Sequence, residues 1–178
     1  MTIDLLSAEK AHLANLLEAI QRCVYFLHAS DQKLSWPLTE KFLTEHKKDV
    51  SLFESLAAIN ERFAKLQDTL GAAMRHATLL SGEPRDTFLK VMSFYEKTGV
   101  IESVAAWQLC RTTRNLAAHD YETDYADIAE HFNALHILEA QLIGDAAKFI
   151  NYSEDALGVT PTHQDFASDF QAIVRGRA

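Results

Sequence analysis

The sequence predicts an all-α fold, an up-and-down bundle of about five to six helices. Two observations carry that expectation. Across 178 residues there are only six glycines and three prolines, so the chain has few natural breaks and reads as helices joined by short loops. Apolar residues also recur in alternating steps of three and four over long segments, which is the spacing of a helix seam. With 48% hydrophobic residues the chain is long enough for one domain with a substantial core and too short to expect two.

The first helix is expected from Ser7 to His28, with Leu13, Leu17, Ile20, Val24 and Leu27 on one face, before "SDQKLSWP" interrupts it. A shorter helix follows from Leu38 to Lys48. From Ser51 to Ser81 the seam runs through Leu52, Leu56, Ile59, Phe63, Leu66, Leu70, Ala73, Ala77 and Leu80. "SLFE" (Ser51–Glu54) fits a capping box at its start and "SGEP" (Ser81–Pro84) stops it, giving a rod about 45 Å long. The segment "DTFLKVMSFYEKTG" reads as a helix capped by Asp86 and ended at Gly99. The next helix runs from Glu102 to His119, and a long one from Asp124 to Ile150 carries Ile128, Phe132, Leu135, Leu138, Leu142 and Ala146 on one face. The polar tail after Asn151 holds a short helix around Phe166 to Val174. The organisation is therefore N-terminal helices over 1–50 as an extension packed on the bundle, a bundle over 51–150, and a tail over 151–178.

The formal charge of −8 argues against broad, charge-driven nucleic-acid binding, yet leaves room for a local cationic cleft. There is no secretory pattern in "MTIDLLSAEKAHL" and no long apolar run, so the expectation is a cytoplasmic protein without a membrane span, whose Cys23 and Cys110 stay reduced.

Chemistry concentrates in "RNLAAHDY", Arg114 to Tyr121. On an ideal helical wheel Tyr121, Arg114, Ala118, Arg111, Asn115 and His119 follow one another, in that order, around a single arc of roughly 160°. Ala105, Ala106, Leu109, Leu116 and Ala117 fall on the opposite arc and are expected to face the core. Trp107 and Val104 extend the polar face, and Ala118 near its centre leaves room for close approach, which suggests a covered face meeting a second copy of the chain across a two-fold axis. An imidazole titrating near neutrality serves as general base or acid, and a permanently charged guanidinium binds phosphate oxygens bidentately. The pair suits RNA cleavage: the base activates a ribose 2′-hydroxyl and arginine stabilises charge on the phosphorane-like transition state. Asn115 is placed to orient substrate or histidine, and Arg111 adds a phosphate contact on the strength of the wheel alone.

Arg114, Asn115, His119 and Tyr121 match the Arg-x4-His-x-Tyr signature of HEPN domains, in the version with Asn directly after Arg. With the flanking "FYEKTGVIESVAAWQL" and "ETDYADIAEHFNAL", the region Ser51 to Phe149 resembles the HepT branch of that family. The resemblance implies a HEPN-like bundle dimerising through the motif helix, and a metal-independent endoribonuclease toxin of a type VII-like HEPN/MNT toxin–antitoxin pair. Arg114 and His119 would then be catalytic and Asn115 supporting. Tyr121 would be the site at which an MNT-type nucleotidyltransferase antitoxin transfers AMP from ATP to silence the toxin. The alternative is a non-catalytic HEPN subunit that binds or regulates a minimal nucleotidyltransferase.

Other readings are weaker. Cys110 beside Arg111 reads as a small apolar residue of a packed helix. His131 and His136 are about 140° apart on their helix, and no Glu-x-x-His or His-Glu-x-x-His pattern occurs, so neither a metal site nor a cofactor is expected. No glycine-rich phosphate loop is present, so ATP binding is not expected of this chain itself.

Overall fold

The computed structural model of the chain describes residues 2–116 and 124–177, and all their regular structure is helical. In chain order the helices are α1 (Thr2–Asp31), α2 (Glu40–Glu45), α3 (Val50–Leu80), α4 (Phe88–Lys97), α5 (Val104–Leu116), α6 (Tyr125–Leu157) and α7 (Ala167–Arg177). The helical bundle expected from the seams is what forms, with seven helices among the described residues rather than five to six. Leu13, Leu17, Ile20, Val24 and Leu27 of α1 join Ile59, Phe63, Leu66, Leu70 and Ala73 of α3 and Leu135, Leu142 and Ala146 of α6 in one core. Each fully buried leucine or phenylalanine contributes roughly 1.5–3 kcal/mol, so these stripes dominate the fold. The first helix is thus part of the central core. Leu52 and Leu56 at the start of α3 close a smaller cluster with Leu38, Leu43 and Ala129.

Several helix ends differ from the sequence expectation, each for a local reason. Asp49 rather than Ser51 caps α3, its carboxylate accepting from the Leu52 N–H at 3.0 Å. A charged acceptor gains from the helix dipole where a hydroxyl does not. Thr87 rather than Asp86 caps α4, accepting from the Lys90 N–H at 3.3 Å, while Asp86 pairs with the Lys90 ammonium. The second helix starts late because Asn133 on α6 takes both backbone groups of Leu38, at 2.8 and 2.9 Å. Beyond Ile150, α6 continues to Leu157 and stops at Gly158, which adopts the left-handed conformation with φ 62°. Polarity alone does not end a helix, whereas a residue free to take positive φ does.

The C-terminal segment returns to the start of the chain. Lys10 Nζ donates to the Leu157 carbonyl at 2.9 Å and the Thr162 N–H to the Ala14 carbonyl at 3.3 Å. Val159, Phe170 and Ile173 then complete the main core. Both cysteines are free thiols. Among the described residues no helix is long and apolar enough to cross a membrane.

Candidate functional site: an arginine-lined cleft on the motif helix

Ser103 starts α5 by accepting from the Ala106 N–H at 3.0 Å, and the Glu96 carboxylate at the end of α4 takes the Val104 N–H at 2.8 Å. These ties set the rotation of the helix. The rotation is not the one expected from the wheel. Trp107 is 3% exposed and Cys110 and Thr113 are buried, whereas Leu109 is 54% exposed and Ala105 also faces outward. The side carrying Trp107 and Arg114 is therefore turned toward the bundle and covered by the chain's own α3 and α4. The indole carries far more apolar surface than the alanines opposite, and burying it outweighs burying them. Gly71 of α3 makes this possible: a Cβ there would stand 3.4 Å from the Trp107 ring and 3.3 Å from Phe88.

Between α3, α4 and α5 lies a cleft of about 320 Å³ lined by Gln67, Asp68, Arg75, Phe88, Trp107, Arg111 and Arg114. Arg114 is the most constrained of its cations. One guanidinium nitrogen donates to the Ala64 carbonyl at 2.8 Å and contacts the Asp68 carboxylate at 2.7 Å, with the arginine side chain only 13% exposed. Its Nε is buried and, among the described residues, has no hydrogen-bond partner. Gln67 donates to the Trp107 carbonyl at 2.9 Å, while its buried Oε1 has no partner among the described residues. A buried polar atom without a partner costs about 1–3 kcal/mol, so two among the residues lining the cleft are a reason to expect a polar ligand there. Three guanidiniums against one carboxylate leave the cleft locally positive on a chain of net charge −8. The partly exposed Phe88 ring beside them suits a ligand with a flat ring and an anionic group.

Of the residues singled out from sequence, Arg111 and Arg114 line this cleft and Asn115 is exposed beside it. His119 and Tyr121 lie outside the described residues, as do Ala117 and Ala118. Arg75 was missed. It sits one helical turn after Gly71, with its guanidinium 5.9 Å from the Phe88 ring, and nothing in its own neighbourhood of sequence marks it.

Cys110 is excluded as a nucleophile on physical grounds. Burial, and secondarily the charge of Asp145, pushes its thiol up to about 11, so it stays protonated at neutral pH. Asp145 on α6 is itself displaced: burial first, then repulsion from Glu102, against opposition from Lys148 and a backbone hydrogen bond from Glu102, raises it from 3.8 to about 7. Such a carboxyl holds its proton more tightly folded than unfolded. Its contribution to stability is therefore most favourable below pH ~4 and declines as pH rises through ~7. Asp145→Asn is expected to stabilise the protein at pH 8 by up to about 4 kcal/mol and to change little at pH 4. Urea unfolding of both proteins across that range checks this, and an Asn advantage independent of pH would contradict it.

The fold and cleft together define a helical bundle with a cationic, aromatic-walled site built on a motif helix. No protein-family model matches this chain, and no curated protein or solved structure is significantly similar to it.

Proposed function

We propose that the chain is a HEPN-type, HepT-like endoribonuclease that cleaves RNA without a metal and is held in check by a nucleotidyltransferase partner. The observation that carries this reading is the Arg-Asn-x3-His-x-Tyr string of the sequence, Arg114 to Tyr121, whose first residue lines a cationic cleft together with Arg111. Arg114 and Arg111, with Arg75 across the cleft, bind the phosphate backbone, and a base stacks against Phe88. His119 takes the 2′-hydroxyl proton and the guanidinium of Arg114 stabilises the pentacoordinate phosphorus that results. The attack forms a 2′,3′-cyclic phosphate and breaks the P–O5′ bond, the departing 5′-oxygen taking up a proton to become a hydroxyl. Two chains associate through their motif helices, for which the outward-facing Leu109 and Ala105 offer an apolar contact. Tyr121 is the residue that the partner modifies with AMP, which adds an anionic group to the motif.

One observation favours the alternative, a non-catalytic subunit of a nucleotidyltransferase: Arg114 is already engaged by Asp68 and the Ala64 carbonyl. The two readings part in a single assay. Wild type and Arg114→Ala/His119→Ala are incubated with total RNA in EDTA. Cleavage by wild type alone is the expected outcome. Absence of cleavage by both would make the motif a partner-facing surface.

A further inference from the structure

A second polar cluster, sharing no residue with the arginine cleft, lies where the end of α1 meets the middle of α6. Asp31 is the last residue of α1, and His136 and Glu139 stand one turn apart on α6. One oxygen or nitrogen from each lies within 4.8 Å of the other two. Asp31 is 0% exposed and Glu139 1% exposed. His136 Nδ1 is 2.6 Å from Asp31 Oδ1, and Gln32 Nε2 donates to the other Asp31 oxygen at 3.4 Å.

The imidazole is held, not loose. Trp36 stacks on it at 4.3 Å with the rings 13° apart, and the Trp36 indole N–H donates to the Asp31 backbone carbonyl at 3.2 Å. The surroundings thus orient both side chains, as outer groups do around metal ligands. Both carboxylates are almost wholly buried, and a carboxylate persists away from water only where it is paired or binds a cation. On one side the cluster opens to a cleft of about 380 Å³ lined by His28, Gln32 and the end of α7, which leaves a coordination position for water.

From this geometry we infer that Asp31, His136 and Glu139 form a binding site for one divalent first-row cation, zinc being the best match. One imidazole and two carboxylates are borderline ligands that suit zinc or manganese, whereas calcium and magnesium prefer oxygen alone. Three protein ligands with one open position is a zinc arrangement. On binding, the cation takes the place of the hydrogen between His136 Nδ1 and Asp31 Oδ1, the imidazole coordinating as the neutral tautomer with its proton on Nε2 and any further proton passing to solvent. The three donor atoms then draw in to about 2.1 Å from the metal. The site joins α1 to α6 and raises the stability of the bundle; it takes no part in the proposed RNA cleavage.

The test uses the full chain stripped with EDTA and titrated with zinc chloride, with magnesium chloride as comparison, by calorimetry and thermal melting. One zinc per chain is expected, with the melting temperature raised by roughly 5–10 °C at a hundredfold excess over Kd, and no such rise with magnesium. His136 is partly exposed, so His136→Gln should keep the helical circular-dichroism spectrum while losing at least about tenfold in zinc affinity. Asp31→Asn provides an independent second variant with the same expected loss. Absence of stoichiometric zinc binding by wild type, or undiminished binding by both variants, would overturn the inference.

Discussion

Replacing His119 by alanine is expected to lower RNA cleavage by about 10²–10⁴-fold, the usual contribution of a general base, with little change in substrate affinity. In cells, wild type expressed alone should arrest growth and His119→Ala should be tolerated; equal growth would sink the toxin reading. His119 is a cleaner test than Arg114, because Arg114 also ties α5 to Ala64 and Asp68 of α3. Removing that guanidinium strips the cleft of a cation and loosens the helix at once. Arg111 supplies the complementary comparison. It lines the cleft and is exposed, so Arg111→Ala should raise KM while leaving kcat largely intact. Parallel losses in kcat from both single variants would mean that the two residues act together rather than as base and phosphate clamp.

Trp107→Ala is expected to cost about 3–5 kcal/mol of stability, the range for truncating a large buried aromatic. The indole is 3% exposed, packs over Gly71 and lies 6.4 Å from the Phe88 ring, and its backbone carbonyl accepts from Gln67. Loss of the side chain leaves a void that α3 and α5 cannot close, since Arg114 ties the end of α5 to α3 and the Glu96 carboxylate ties its start to α4. Urea unfolding followed by circular dichroism measures the effect. Trp107→Phe should retain much of the packing, and a loss below about 1 kcal/mol for alanine would show that the helix is not anchored through this ring.

The core was legible in the sequence because heptad stripes report burial directly: Leu13 to Leu27 on α1 and Ile59 to Ala73 on α3 are inside as their spacing implies. Which residue caps a helix was less legible, because Asp49, Ser51, Asp86 and Thr87 all offer acceptors and the backbone turn chooses among them. The rotation of α5 was misread for a definite reason. A wheel sorts polar from apolar residues, and on this helix the arginines share a face with the largest apolar ring. Arg114 can lie along the core with its head at the rim, so a charged residue did not mark the outer side. Arg75 escaped notice because the cleft is assembled from three helices. The Asp31–His136 pair spans 105 positions, and no short motif connects partners so far apart.

The return of the C-terminal segment onto α1 bears on how the molecule is made. Lys10 and Leu157 are bonded across 147 positions, and Val159, Phe170 and Ile173 seal a core to which α1 contributes from the beginning of the chain. Non-local contacts of this kind form late, since the loop between them must first be closed. A nascent chain emerging from the ribosome can pair α1 with α3, but the stripe from Leu13 to Leu27 keeps an open flank until residues 157–173 have been synthesised. During that interval the exposed stripe is open to non-native association, and native assembly waits on translation of α7.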